Sequence, residues 1–246
     1  MTDSNHDPDS FLVVTWNIKF GLDVPGAISA LTEVDELRGA SIICLQEMDE
    51  VGTRSIAEAL GYRWRFESAT VHPQTGRDFG NAILVPGHLE RYDPVPLPHD
   101  TGRQITPRLA VWASTTVNGR SIDVGSIHSE TPVLALKRRI EQFATVAMGP
   151  GDTGVGPLLV GGDFNTASKR SIDALTTSMH SAGFTRLSTD AGWTLERARK
   201  RFTLDHFFGR GLMVRSSGAI RDLAASDHAP LWVRLRFLDP PSSNVR

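Results

Sequence analysis

A single cysteine, Cys44, in 246 residues leaves no partner for an intrachain disulfide and no thiolate pair for a structural zinc. It sits in the apolar run Ser41-Ile42-Ile43-Cys44-Leu45 and reads as a buried strand residue. No apolar run approaches the ~20 residues of a membrane span, and residues 1–10 lack the basic-then-apolar order of a secretory signal. A cytoplasmic location without membrane attachment is the expectation. Charge of one sign is also missing: Lys+Arg 26 against Asp+Glu 28 gives a formal net charge of -2. That is a poor match to a long polyanion unless the cations gather on one face. Two basic clusters, at residues 137–139 and 197–201, read as solvated surface. Neither G-x-S-x-G nor H-E-x-x-H occurs, which argues against a serine hydrolase and a zinc protease. Residues 149–154 fit G-x-G-x-x-G, but they follow a helix pattern and precede a strand, the reverse of the dinucleotide-binding order, and so read as a surface loop.

What is present is the composition of a globular α/β protein, 40% hydrophobic and 22% charged, with no repeat, low-complexity block or linker. One domain over residues 11–238 is expected, between a disordered segment 1–10 and a tail 239–246. Apolar β runs are predicted at 11–16, 41–45, 81–85, 109–117, 121–127, 158–160, 202–208, 212–216 and 230–237. Asn118-Gly119 between two of them is a strong hairpin signal. Helical spacing of apolar residues predicts helices over 27–38, 55–60 (closed by Gly61), a segment opened by Pro132 whose inner face is Leu136, Ile140, Phe143 and Ala147, and 172–182. Hairpins among helices imply mixed rather than purely parallel sheets. The stretches from 67 to 91 and from 92 to 107, rich in Pro, Gly and Asp, read as functional loops. Trp16, Trp112 and Trp232 read as core, whereas Trp64, between two arginines, has some claim to a nucleic-acid contact.

Polar residues recur just beyond these strand ends: Asn17, Glu47, His128, Asp163 with Asn165, Asp205 with His206, and Asp227 with His228. Strand ends from separate segments can converge on one edge of a sheet. Glu47, Asp163 and Asp227, with amides and no thiol, make a hard oxygen site suited to Mg²⁺, Mn²⁺ or Ca²⁺ rather than a structural zinc, with Mg²⁺ or Mn²⁺ the expected cofactor. Histidines beside such a site can exchange protons near neutral pH, which together equips the set for attack of water on a phosphorus ester.

Taken in order, Thr15-Trp16-Asn17-Ile18, Leu45-Gln46-Glu47, Gly80-Asn81-Ala82-Ile83-Leu84, Ser126-Ile127-His128, Gly161-Gly162-Asp163-Phe164-Asn165, Leu204-Asp205-His206-Phe207 and Ser226-Asp227-His228-Ala229-Pro230 resemble the motifs of the endonuclease/exonuclease/phosphatase (DNase I-like) superfamily. The resemblance implies an α/β four-layer sandwich, two mixed sheets face to face with helices outside. It implies a divalent-metal-dependent phosphoric ester hydrolase, with a phosphate-ester substrate, nucleic acid among the candidates, and no obligate protein partner. A nuclease or small phosphodiesterase is the leading reading. A phosphomonoesterase or a lipid- or inositol-phosphate phosphatase is the alternative, and a catalytically dead binding module is a third.

Residue roles follow the same resemblance. Asn17, Glu47 and Asp227 correspond to metal-site residues, with Glu47 the principal ligand. Asp163 corresponds to the acid that orients or deprotonates the attacking water, Asn165 to a donor to the scissile phosphate, and His128 to the histidine that supports phosphate or leaving group. Asp205 corresponds to the carboxylate that orients His228. Asn81 is either a phosphate contact or a turn residue before its strand. The sequence departs from the pattern at Lys19, where nuclease relatives often carry an acid, and at His206, where Tyr or Arg is common. Asp78 is a candidate, by position alone, for the group supporting the acid histidine.

Overall fold

The computed structural model describes residues 9–102, 107–150 and 156–239. Most of both expected terminal segments, and most of the glycine-rich stretch 149–154, lie outside them. In chain order the elements are β1 (Phe11–Asn17), α1 (Val24–Glu33), β2 (Ile42–Met48), α2 (Glu50–Leu60), β3 (Arg63–Val71), β4 (Asp78–Val85), β5 (Tyr92–Pro96), β6 (Leu109–Val117) and β7 (Arg120–His128). There follow α3 (Leu136–Ala147), β8 (Leu158–Asp163), α4 (Lys169–Ser181), β9 (Thr185–Arg186), β10 (Leu195–Arg197), β11 (Lys200–Phe202), β12 (Asp205–Arg210), β13 (Leu212–Ala219) and β14 (Leu231–Phe237).

The strands form two six-stranded sheets, ordered β13-β14-β1-β2-β4-β3 and β5-β6-β7-β8-β12-β9, and a separate β10-β11 hairpin. Each large sheet has one parallel pair at its centre, β1 with β2 and β7 with β8, and antiparallel neighbours outside it. The sheets are therefore mixed, as the hairpin signals implied.

Alternation along the strands divides the core into three. Val13, Ile42, Cys44 and Ile83 of the first sheet meet Val111, Val124, Leu159 and Phe207 of the second. The opposite faces of β1 and β2, with Val14, Trp16, Ile43 and Leu45, pack on Ala27, Leu31, Ile56 and Ala57 of α1 and α2. On the far side, Trp112, Ile127 and Val160 pack on Phe143, Val146, Leu175 and Met179 of α3 and α4. Helix, sheet, sheet, helix is the four-layer order. No helix among the described residues is long and apolar enough to cross a membrane.

Several boundaries differ from the sequence reading. α1 begins three residues earlier than the apolar spacing suggested, because Asp23 caps it and Pro25 suits its first turn. α2 starts at Glu50, where Asp49 accepts the Gly52 N–H at 2.6 Å. Edge strand β5 falls in a stretch expected to be a loop and edge strand β3 runs into another from residue 67; β3 has little buried surface and β5 carries two prolines, which edge strands tolerate. Pro132 lies ahead of α3 rather than in its first turn. Its buried face is Arg139, Gln142, Phe143, Val146 and Ala147, so Ile140, expected inside, is exposed. Trp64 packs against the cluster beneath α1 and α2, which accounts for it without nucleic acid.

Close packing is tight at β8. A methyl group on Gly161 would lie 2.2 Å from the Phe207 ring. Gly161→Ala should therefore destabilise the fold by ~1–3 kcal/mol, the usual cost of overpacking a filled core. Urea unfolding measures it, and an unchanged midpoint would mean that this contact is slack.

Candidate active site

The central strands deliver the chemistry to one edge. Asn17 ends β1, Glu47 lies next to the end of β2, His128 ends β7 and Asp163 ends β8. The two parallel pairs thus point four C-terminal side chains at a single mouth, where the sandwich opens. Register does the rest. His128 is the partner of Asp163 across the parallel pair, and Asp205, the first residue of β12, faces Asp163 across the antiparallel one. Beneath this mouth the gap between the sheets is polar: Gln46 Nε2 donates to Thr15 Oγ1 and Ser126 Oγ, both at 3.1 Å.

Asp163 is the hub. The Asn17 amide nitrogen donates to Asp163 Oδ2 and to Glu47 Oε1, each at 3.1 Å, and so spaces the two acids. His128 Nε2 lies 3.5 Å from Asp163 Oδ2 and 3.9 Å from Glu47 Oε1. His228 Nε2 lies 3.8 Å from the same Asp163 oxygen, while its Nδ1 bonds Asp205 Oδ2 at 2.9 Å. Asp163 Oδ1 accepts the Asn165 N–H at 2.8 Å. Glu47 reaches the mouth through a register shift between Gln46 and Met48, in the left-handed conformation at φ 57°. Such a bulge turns one side chain out of the pleat and is backbone strain of the kind that functional sites retain. The hooks that bring the distant segment 226–228 alongside are Ser226 Oγ donating to the Asn17 carbonyl (2.6 Å) and Trp16 Nε1 donating to the His228 carbonyl (2.7 Å).

Burial and neighbours set the protonation states. Burial and the facing Asp205 push the Asp163 carboxyl up, against the opposing pull of His228. Burial alone would lower the His228 pKa, but the bonded Asp205, with Asp163 and Asp227 beyond, lifts it to about 10. It is therefore an imidazolium between two acids that would otherwise repel across the strands. His128 is pushed well below the usual histidine range by burial, by Arg108 and by His228, and is neutral. Burial raises Glu47 as well, and Asp227 raises it further.

Glu47 and Asp227 carry hard oxygen donors of the kind Mg²⁺ takes, with the Phe20 N–H on Glu47 Oε2 at 3.2 Å and Lys19 Nζ 3.6 Å from Asp227. Asn17 is partly committed, its Oδ1 accepting the Lys19 N–H at 3.0 Å. Among the described residues, Asp163, Asp205 and His228 also place one ligand atom each within 4.8 Å of one another. There, however, the imidazole of His228 already bonds Asp205, so a metal would displace that contact.

Not every expected residue faces the mouth. Asn81 lies between the sheets, its amide nitrogen donating to the carbonyls of Leu109 (2.9 Å) and Ser126 (3.3 Å), so the donor wanted for a phosphate is already used. Asp78 accepts from Ser68 Oγ on the β3–β4 hairpin. His206 is buried against Phe164 and Phe208, its Nε2 2.6 Å from Thr166 Oγ1. Asn165 is at the mouth, with one N–H on the Ser129 carbonyl at 3.0 Å.

Two arginines escaped the sequence reading. Arg108, just before β6, is buried with its Nη1 3.0 Å from the His128 ring nitrogens and its Nη2 3.6 Å from Glu130. The Asn118-Gly119 turn could have found it, since that hairpin register sets Leu109 opposite His128. Arg139, read as solvated surface, is only 3% exposed and donates to the carbonyls of Phe164 (3.0 Å) and Asn165 (2.6 Å). It clamps the turn on which Asn165 holds a left-handed φ of 51°.

The profile of the Endonuclease/Exonuclease/phosphatase family matches residues 14–228. The chain belongs to the endonuclease/exonuclease/phosphatase family. All the strand-end residues just described fall within the match. A UPF0294 protein of Vibrio cholerae is 32% identical over 137 residues, 54% of this chain but 47% of that protein, so the chain spans about half of this relative. Among solved structures, the Bacteroides thetaiotaomicron mannosyl-6-phosphatase Bt3783 superposes with a TM-score of 0.72 at 19% identity, covering 92% of this chain and 100% of that one. D. rerio TDP2 complexed with a single-strand DNA product gives 0.70 at 13% identity, covering 92% and 99%. At such identities these likenesses establish the family's sandwich and nothing finer.

Two measurements test the site's construction. Asp205→Asn removes the main charge that raises His228, so the His228 pKa should fall, as read by NMR titration of its ring; an unmoved pKa would refute the assigned cause. Arg139→Met should cost at least ~1.5–3 kcal/mol, the contribution of a hydrogen bond from a charged donor, in chemical denaturation. A surface arginine would cost almost nothing.

Proposed function

We propose that this member of the family hydrolyses phosphodiesters with Mg²⁺ or Mn²⁺, as a nuclease or small phosphodiesterase. The observation that carries the reading is the bracketing of one buried acid, Asp163, by Asn17, His128 and an Asp205-held His228. The names of neighbours with the same fold, a mannosyl-6-phosphatase and a protein holding a DNA product, are consistent with phosphoester chemistry at such a mouth.

Glu47 and Asp227, with Asn17 beside them, would hold the metal, which supplies Lewis-acid neutralisation of the phosphate. Asp163, its pKa raised by burial and by Asp205, is poised to take a proton from water near neutral pH. Asn17 aims that carboxylate by fixing one oxygen, and the Asn165 N–H fixes the other. His228, held cationic by Asp205, faces the charge that builds on phosphorus as water adds. Neutral His128 can donate one hydrogen bond to a phosphate oxygen, and Arg108 behind it adds positive charge without solvent competition. Asn165 has a second amide N–H for the same phosphate.

Asp163→Ala should lower kcat on bis-p-nitrophenyl phosphate by on the order of 10²–10⁴, the usual contribution of general acid–base catalysis, with the far-UV spectrum unchanged. Normal turnover in Asp163→Ala would end the assignment. Calorimetric titration with Mn²⁺ gives a second readout: binding to the wild type that weakens in Glu47→Ala is expected, and equal binding by both would remove Glu47 from the metal site.

A further inference from the structure

Beside the mouth stands the β10–β11 hairpin, the second of the two basic clusters. Arg197, Arg199, Lys200 and Arg201 fill four of the five positions from 197 to 201, in a chain whose formal net charge is -2. All four side chains are exposed. Glu196 pairs with Arg201 at 3.0 Å, and among the described residues no carboxylate pairs with Arg197, Arg199 or Lys200.

The hairpin is costly by local rules. Arg197 and Lys200 face each other across the ladder, a like-charge pair that destabilises it. The turn between them puts Ala198 at φ 51° and Arg199 at φ 62°, a left-handed pair that Asn and Gly adopt readily and these residues do not. Such a violation on a solvated element points to a use outside the fold.

Its position is fixed by the catalytic segments. Leu195 forms a bridge with His228, and the Ala229 N–H donates to the Thr194 carbonyl at 2.7 Å. Thr194 Oγ1 in turn accepts the N–H groups of Leu204 (3.1 Å) and Asp205 (3.2 Å). At its base, Arg201 and Arg221 lie over the Trp193 ring at 5.0 and 4.9 Å from its centroid. Trp193, Arg221 and His228 share with the carboxylates Glu196, Asp222 and Asp227 an open cleft of about 280 Å³. A strand whose scissile phosphate sat at Asp163 could leave along this cleft and pass the hairpin.

We infer that the β10–β11 hairpin is a phosphate-tracking exosite: Arg197, Arg199 and Lys200 bind the backbone of a nucleic-acid strand beyond the phosphate being cleaved. This rests on the phosphodiesterase reading for its purpose, but its binding can be measured without turnover. Phosphates set opposite Arg197 and Lys200 would relieve their mutual repulsion, so the cost in the free protein falls in the complex. Trp193, cradled by two guanidiniums, walls the path between hairpin and mouth.

The test uses the full chain in EDTA, with a fluorescein-labelled 20-nucleotide single strand read by anisotropy across a salt series. The triple variant Arg197→Ala/Arg199→Ala/Lys200→Ala should weaken binding on the order of tenfold or more. It should also flatten the dependence of log K on log salt by roughly 2, about 0.7 per lost phosphate contact. The charge-keeping variant Arg197→Lys/Arg199→Lys should retain the wild-type slope, which separates loss of charge from loss of the hairpin. Unchanged affinity and slope in the triple variant, or a wild type that does not bind the strand, overturns the exosite. So does binding of phosphatidylserine vesicles by a wild type that ignores the oligonucleotide. Hydrolysis of bis-p-nitrophenyl phosphate with Mn²⁺, run alongside, reports on the phosphodiesterase reading alone.

Discussion

A pair of buried carboxylates at one sheet edge is the constraint around which the mouth of this sandwich is organised. Asp163 sits 1% exposed at the end of a central strand, opposite a second buried acid, Asp205. Two such charges side by side in the interior are unfavourable unless something positive or hydrogen-bonding meets them. The fold answers with groups from everywhere in the chain: the Asn17 amide from β1, His128 from β7, the Asn165 N–H from the turn after β8 and the His228 imidazolium from the loop before β14. Each answer is local, yet together they require both sheets to be in place. A disturbance of inter-sheet packing should therefore reach the chemistry, because Asn17 and Glu47 belong to one sheet and His128 and Asp163 to the other.

Imidazole protonation follows from the same constraint. His128 and His228 both lie within 4 Å of Asp163, yet they are pushed in opposite directions. Burial keeps the His128 ring neutral, and the Arg108 guanidinium behind it pushes the same way. His228 is backed by Asp205, which demands a cation. One histidine is then a neutral hydrogen-bonding group and the other a charged one: burial prevails at His128, and Asp205 overcomes it at His228.

Much of this was legible before any coordinates. Alternating and continuous apolar runs mark the buried strands β1, β2, β6 to β8 and β14, and polar residues placed one step beyond them mark the mouth. Two edge strands, β3 and β5, were not legible, whereas the edge strand β13 was. β3 reads Arg-Trp-Arg-Phe and is half solvated, and β5 carries Pro94 and Pro96, so neither shows the burial pattern on which strand prediction relies. Arg139 and Arg108 were missed for a related reason. A charged residue on a helix or at a strand start is ordinarily solvated, and only long-range partners, the Phe164 and Asn165 carbonyls for one and the His128 ring for the other, reverse that rule. Asn81 errs the other way: its type suggested a ligand contact, but its place in β4, facing β6 and β7, commits its amide to the inter-sheet carbonyls.

Charge around the mouth is arranged by depth. Inside, the positive groups are fixed and few: Arg139 on the Phe164 and Asn165 carbonyls, Arg108 beside His128, His228 on Asp205. At the rim, Lys19 meets Asp227 with both side chains nearly half exposed, a contact that water and salt weaken. Farther out, the β10–β11 hairpin pairs Arg201 with Glu196 but leaves Arg197, Arg199 and Lys200 without a partner acid among the described residues. A formal net charge of -2 thus hides a gradient from compensated to uncompensated positive charge, running outward from the buried acid along one side. Averaged charge cannot show such a gradient; it follows only from where Thr194 and Leu195 tie the hairpin, next to Asp205 and His228. A polyanion approaching along it would release counterions first at the hairpin, where the cationic side chains are exposed. Groups held in fixed orientation lie deeper, where Asn17 and Asn165 donate to the Asp163 oxygens and Asp205 holds His228.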